Sequence, residues 1–330
     1  MKALVFTNTE ELSYQNTSSP VVKDDEELIK VVASGICGSD MHAYHGYDDR
    51  RTPPLILGHE ISGLIDGTNK AVVINPLVTC HQCEECQSNR EHLCQNRGLI
   101  GMSKPKERHG GFAEYVSVPK NNLYLVKDQS KLNNFSITEP AAVSYHAIQI
   151  AIQHSIKSLE KSKILIIGGG AIGLLTALIL NQMKITNYII IDTNSKRLDV
   201  CKKAAQCYVA HPEDKSVAIN NYDIVIDAVG FEKTRQKSIQ SVKQGGLIVH
   251  IGLSQPAGEF DFRKATLQEI IFVGTYCYTD DDFKNTLNLI EEKKLGNLEW
   301  LDFRPLSDGN NAFKEIHEGT TASPKIILLP

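Results

Sequence analysis

Lys163-Ile164-Leu165-Ile166-Ile167-Gly168-Gly169-Gly170-Ala171-Ile172-Gly173-Leu174-Leu175-Thr176-Ala177 joins a short apolar run to a glycine-rich turn and then to a run of helix formers. The apolar run has the length of a buried strand, and the residues after the glycines propagate a helix. Gly168, Gly170 and Gly173 fill G-x-G-x-x-G. In that spacing one glycine makes a tight turn, one lets backbone N–H groups approach a pyrophosphate, and one lets the helix pack on the strand. The helix N-terminus then faces the anion. Glycine-rich turns are common, so the weight comes from the order of strand, turn, helix and second strand. That second apolar run, Tyr188–Ile191, ends in Asp192, about 20 residues beyond the glycines, where a carboxylate accepts both ribose hydroxyls. Asp192 repels a 2′-phosphate, so NAD is expected over NADP. Arg197 reads equally as a contact to the adenine or a phosphate and as a surface helix charge.

Beyond Lys163 the alternation continues, with strands read at Asp223–Ile226, Leu247–Ile251 and Ile270–Val273, a helix at Asp281–Lys294 and a last strand at Lys325–Leu329. Such alternation predicts a parallel sheet covered on both faces by right-handed crossovers. Before it, short β-rich runs at Ala3–Phe6, Glu27–Ala33, Ala71–Ile74 and Ala113–Val118 are broken by turn residues, which predicts an irregular, mostly β domain. Between the two, Glu139–Ile156 reads as a bridging helix, with Ala141, Ala142, Tyr145, Ile148, Ile152 and Ile156 on one stripe. The chain is therefore an α/β protein of two domains.

Composition narrows the function classes. With 330 residues, 42% hydrophobic and 22% charged, the chain is ordinary for a soluble globular protein. A net charge of −4 offers no basic field for a phosphate backbone, so nucleic acid is not expected as a partner. The longest apolar candidate, Ile164–Leu180, is interrupted by three consecutive glycines, and no membrane span is expected. Met1–Phe6 reads as an opening strand and not as a signal peptide; a cytoplasmic location is the expectation. Four of the eight cysteines crowd into Cys80–Cys94, a pattern that suits metal binding better than a disulfide framework.

Cys80, Cys83, Cys86 and Cys94 form C-x2-C-x2-C-x7-C. Four thiolates at this spacing suit a closed, structural zinc site. Bacterial ferredoxins share the first two gaps but continue with a three-residue gap and Cys-Pro, which this sequence lacks. Three further runs bracket the cluster: Gly35-Ile36-Cys37-Gly38-Ser39-Asp40-Met41-His42, Gly58-His59-Glu60 and Thr138-Glu139-Pro140. Cys37, His59 and a carboxylate supply three ligands and leave a fourth position open, the arrangement of a catalytic zinc.

In order, and over nearly the whole chain, these runs together with Gly110-Gly111-Phe112-Ala113-Glu114-Tyr115 resemble the zinc-dependent medium-chain dehydrogenases, nearest their sorbitol, galactitol-phosphate and L-threonine dehydrogenase branches. The resemblance implies a GroES-like catalytic domain over residues 1–147 with both zinc sites. It implies a doubly wound Rossmann NAD domain over 148–285 and a return over 286–330 that completes the catalytic domain. It makes Cys37 and His59 ligands of a catalytic zinc, with Glu60 and Glu139 as carboxylates in or beside its shell, so two zinc ions per chain are expected. Ser39 and His42 match a proton relay, and Ile172, Ile251, Gly252, Leu253, Thr275 and Tyr276 are expected around the cofactor. By analogy the chain forms a homodimer or homotetramer.

The implied activity is oxidation of a secondary alcohol or polyol, whether sugar alcohol, sugar acid or sugar phosphate, to a ketone with hydride transfer to NAD. One alternative is L-threonine 3-dehydrogenase, favoured by Ser39 with His42 and opposed by Glu139. The other is a non-catalytic, zinc-stabilised NAD-binding protein, opposed by the retention of Cys37, His59, Glu60 and Glu139. Two departures stand out: the stretch between Glu60 and Cys80 is compressed, so a hairpin must be trimmed, and Cys277 stands where the polyol branch carries an arginine. Arg50 and Arg51 lie close enough in sequence to overhang the pocket, but charged loop residues stay in water as a rule. That rule favours a solvated pair over one that attracts an acidic substrate.

Overall fold

The computed structural model describes residues 1–330. Six parallel strands form one sheet in the order Tyr208–Ala210, Tyr188–Ile191, Ile164–Ile167, Tyr222–Asp227, Val242–His250 and Ile271–Gly274. Ile164–Ile167 is fully buried, which is why it reads as an uninterrupted apolar run and shows no alternation. The order reverses direction between Ile164–Ile167 and Tyr222–Asp227, and ligands bind outside the carboxyl ends of strands at such a switch point. Gly168 turns at φ +102°, and a Cβ on Gly173 would meet the Gly168 carbonyl oxygen at 1.8 Å. Only glycine at both positions lets the helix Ala171–Gln182 start directly over the strand. That helix is buried from Gly173 through Leu180, consistent with its apolar character all round. The strand Tyr208–Ala210 has no counterpart in the sequence reading: three residues with Tyr208 at 82% exposure leave too little periodicity to read.

The other half is built on the ten-residue strand Glu26–Gly35. Tyr115–Pro119 pairs with its first part, Glu60–Ile65 runs along it, and Lys325–Leu329 joins its end through Ile327 and Gly35. The seven-stranded sheet continues through Ala71–Ile74 and Leu123–Leu125 on one side and Leu301–Pro305 on the other. The last strand thus returns from the far end of the sequence to lie beside Cys37. The compressed stretch after Glu60 folds as a short hairpin, Glu60–Ile65 against Ala71–Ile74, turning at Gly67 with φ +69°.

The helix Thr138–His154 bridges the halves. Ala141, Ala142, Ala147, Ile148 and Ala151 share one core cluster with Ala33 and Val73 of the β half and with Ile164 and Ile166 of the parallel sheet. One core cluster therefore runs through both halves beside the cleft. The expected stripe needs correction at its end. Ile152 is 45% exposed and Ile156, beyond the helix, is 78% exposed, because the buried face follows Ser144, Ile148 and Ala151 at helical spacing. No helix is long and apolar enough to cross a membrane.

Candidate active site and metal centres

The carboxyl ends of the parallel strands open onto a cleft of about 640 Å³ between the halves. Cys37, His59, Glu60 and Glu139 line one wall, and Gly168, Gly170, Ile172, Gly173, Asp192, Arg197, Ile251, Gly252 and Leu253 line the other, with Thr275, Tyr276 and Cys277 also on its surface.

Cys37 follows the strand Glu26–Gly35 and caps the helix Gly38–Tyr44, and its backbone N–H donates to Asp40 Oδ2 at 3.0 Å. His59 follows Gly58, which turns at φ +93°. The Cys37 thiol, a ring nitrogen of His59 and a Glu60 carboxylate oxygen lie within 4.8 Å of one another. Fully buried Asp40 approaches His59 Nδ1 at 3.4 Å, while His59 Nε2 lies 3.4 Å from Ser39 Oγ. A carboxylate behind an imidazole fixes its orientation and raises its basicity as a ligand. Burial works against a proton on His59, yet Asp40 and Cys37 outweigh it and hold the imidazole well above its ordinary pKa. The surroundings therefore favour positive charge at this point. Thiolate, imidazole and carboxylate together are a donor set that suits zinc.

Glu60 is fully buried, with both oxygens held by Lys325 Nζ at 2.6 and 2.8 Å. Lys325 also donates to the Ile36 carbonyl at 2.8 Å. A Cβ on Gly35 would sit 1.9 Å from Glu60 Oε2, so the glycine before Cys37 makes the room that Glu60 occupies. Glu139 is buried near both; burial first, and the Glu60 charge after it, push its carboxyl up to about 7 against the opposing pull of His59 and Lys325. The buried Tyr278 hydroxyl stands beside Glu139.

The four-cysteine loop brings its sulfurs to 3.5 Å for Cys83 and Cys86, 3.5 Å for Cys94 and Cys80, and 3.9 Å for Cys80 and Cys86. A tetrahedron with zinc–sulfur distances of about 2.3 Å has edges of roughly 3.8 Å, so the four thiols fit that ion. Backbone amides of Gln82 and Cys83 draw the Cys80 thiol down to about 6, which readies a thiolate for metal. Arg97, three residues past Cys94, donates to the Cys94 carbonyl and lies 4.9 Å over the ring of Tyr276. The loop is thereby tied to the cleft wall. Replacing Cys83 with Ser is expected to remove one zinc per chain and several kcal/mol of folding free energy, read by metal analysis and thermal denaturation.

On the cofactor wall, Asp192 does more than its position in sequence suggests. Oδ2 accepts from the Gly169 N–H and Oδ1 from the Asn194 N–H, both at 2.7 Å, so it braces the glycine turn. Arg197 Nη1 lies 3.6 Å from Asp192 Oδ2. Leu253, 59% exposed, stands at the mouth of the cleft. Ser39 and His42 both line the cleft, and the hydrogen-bonding partners of Ser39 are His59 and Arg51.

Arg51 overturns the expectation of a solvated pair. It is 2% exposed, and it donates to Gly101 O at 3.3 Å, to Ser39 Oγ at 3.3 Å and to Asp48. Asp48 and the Gly101 carbonyl offset its desolvation, which proximity in sequence alone does not announce. Sequence reasoning also misses Asp40, Gly35 and Lys325. Asp40 and Gly35 lie within three residues of Cys37, which is the signal that could have found them. Lys325 lies 265 positions from Glu60, and its one signal is a lysine opening an otherwise apolar strand.

Known proteins share both halves of this arrangement. Residues 23–128 match the alcohol dehydrogenase GroES-like domain, and residues 171–292 match the zinc-binding dehydrogenase domain. L-galactonate-5-dehydrogenase of Escherichia coli strain K12 is 30% identical over 312 residues, covering 89% of this chain and 88% of that protein. Among solved structures, acetophenone reductase from Geotrichum candidum in complex with NAD superposes with a TM-score of 0.88 at 25% identity, covering 100% of this chain and 97% of the other. A zinc-binding dehydrogenase from Sinorhizobium meliloti 1021 bound to NADP gives 0.87 at 25% identity, covering 100% and 99%.

Proposed function

The chain belongs to the zinc-binding alcohol dehydrogenase family, and on that premise we propose that it oxidises a secondary hydroxyl of a polyol or sugar acid to a ketone with NAD. The observation that carries this reading is the cluster of Cys37, His59 and Glu60, with Glu139 lining the same cleft, facing a G-x-G-x-x-G turn. Similarity to a dehydrogenase named for a sugar acid and its fifth carbon supports the substrate class.

Cys37 and His59 would hold the catalytic zinc, with Glu60 and Glu139 in or beside its shell; Cys80, Cys83, Cys86 and Cys94 would hold the structural one. Zinc supplies Lewis acidity toward a hydroxyl oxygen, and NAD supplies the hydride acceptor. Asp40 keeps the His59 ring in orientation. Ser39 Oγ accepts from Arg51, which leaves its own O–H free to donate. Burial lowers the pKa of His42, so the imidazole is neutral near pH 7 and able to take a proton passed outward from Ser39. The three-glycine turn and the helix behind it would receive the pyrophosphate, and Ile251, Gly252, Thr275 and Tyr276, which line the same cleft, would flank the nicotinamide.

Asp192 decides between cofactors that the two solved relatives divide. Its carboxylate, fixed by two backbone N–H groups, favours NAD. Asp192→Ala is expected to raise the KM for NAD at least tenfold and to shift the kcat/KM ratio toward NADP, as steady-state kinetics with both cofactors will show. The reading includes a cytoplasmic homodimer or homotetramer. Phe272, 43% exposed on the edge strand Ile271–Gly274, accords with assembly along that edge. NADH formation across polyols, sugar acids, sugar phosphates and L-threonine tests the whole reading. Activity confined to L-threonine, or none anywhere, overturns it.

A further inference from the structure

We propose that Arg50, held by Asp48 and backed by Arg51, forms an anion-binding subsite at the cleft, so that the preferred substrate is a polyol bearing a carboxylate or phosphate. The inference rests on the dehydrogenase reading and narrows its substrate class. Arg50 and Arg51 both line the cleft that contains Cys37 and His59. Arg50 is the presented one: its side chain is 46% exposed, whereas that of Arg51 is fully covered.

Arg50 is not a loose surface arginine. Its Nε donates to Asp48 Oδ1 at 2.8 Å and its Nη2 to Asp48 Oδ2 at 3.1 Å, and its backbone N–H also reaches Asp48 at 3.1 Å. Its carbonyl accepts from the backbone N–H groups of Ser103 and Lys104 at 2.8 and 3.1 Å. Main chain and guanidinium are both fixed in advance, which removes much of the ordering cost that an exposed side chain meets on binding. Two of the five guanidinium donors are engaged, and the Nη1 edge is left for a ligand.

The charge count points the same way. Asp48 is shared by two guanidinium groups, so its single charge does not neutralise both, and Asp49 adds only a weaker pull on Arg50. The buried Arg51 extends the cationic path inward to Ser39 at 3.3 Å, and Ser39 is 3.4 Å from His59. Arg50 is thus linked to His59 along one chain of contacts through Asp48, Arg51 and Ser39. A planar guanidinium suits carboxylate and phosphate alike.

The test compares a hexonate, a hexitol 1-phosphate and the parent hexitol, in the gluco and galacto series, with wild-type holoenzyme and with Arg50→Gln and Arg50→Lys. In the wild type, kcat/KM for at least one anionic substrate is expected to exceed that for its parent hexitol tenfold or more, and which anion wins identifies the group. Arg50→Gln cuts that ratio at least tenfold through KM; Arg50→Lys retains part of it. Equal turnover of hexitol and both anions, or a ratio untouched by Arg50→Gln, overturns the subsite and leaves the dehydrogenase reading intact. If nothing in the panel is oxidised, the dehydrogenase reading passes to the wider panel of polyols, sugar acids, sugar phosphates and L-threonine. Calorimetric binding of the hexonate and the hexitol phosphate to wild-type and Arg50→Gln protein with NADH then decides the subsite by itself, with equal affinity counting against it.

Discussion

Replacing Cys37 with Ala lowers kcat/KM for alcohol oxidation by about 10³-fold or more while NADH still binds. A Lewis acid contributes several kcal/mol to stabilising developing charge, and each 1.36 kcal/mol is a factor of ten in rate. Cys37 is the thiol of the donor cluster and sits on the β half, whereas the glycine turn and Asp192 sit on the parallel sheet across the cleft. The mutation should therefore separate chemistry from cofactor binding. Kinetics paired with a fluorescence titration of NADH check it; loss of NADH affinity in step with turnover would mean that the two halves are not independent.

The second large effect concerns stability. Lys325→Met leaves Glu60, with no exposure, lacking its cation beside the buried Glu139. Breaking a buried ion pair by removing one partner costs about 3–5 kcal/mol, because an uncompensated charge remains. The geometry gives Glu60 no escape, since the strands carrying Gly35, Glu60 and Lys325 are locked in register. Denaturant unfolding of the variant is expected to show that loss, and adding Glu60→Gln should recover part of it. Additive destabilisation in the double variant would show that the pair is not coupled.

Local chemistry decides how much of this is legible in the sequence. The parallel sheet can be read because its strands are buried on both faces and its turn needs glycine at fixed positions. The four-cysteine loop can be read because its cysteines are neighbours in sequence. The β half is harder: Glu60–Ile65 opens with a carboxylate and contains a glycine, so its pattern does not announce a strand. Lys325 and Arg51 are hidden for a different reason. Burial of a charge depends on a partner, and Lys325 meets Glu60 only because the closing strand brings it there, in a sheet whose pairing no local period encodes. Asp48 lies within three residues of Arg51, but only the path of the loop against Gly101 turns that proximity into burial.

The central claim is that one cation at Cys37 serves chemistry and another at Cys80–Cys94 serves the fold. Zinc content and NADH formation measured on the same preparations of wild type and Cys37→Ala test it most directly. Two zinc ions per chain with turnover are expected in the wild type, and one zinc with no turnover in the variant. A single zinc in the active wild type, or full turnover in a variant that has lost the second ion, would contradict it.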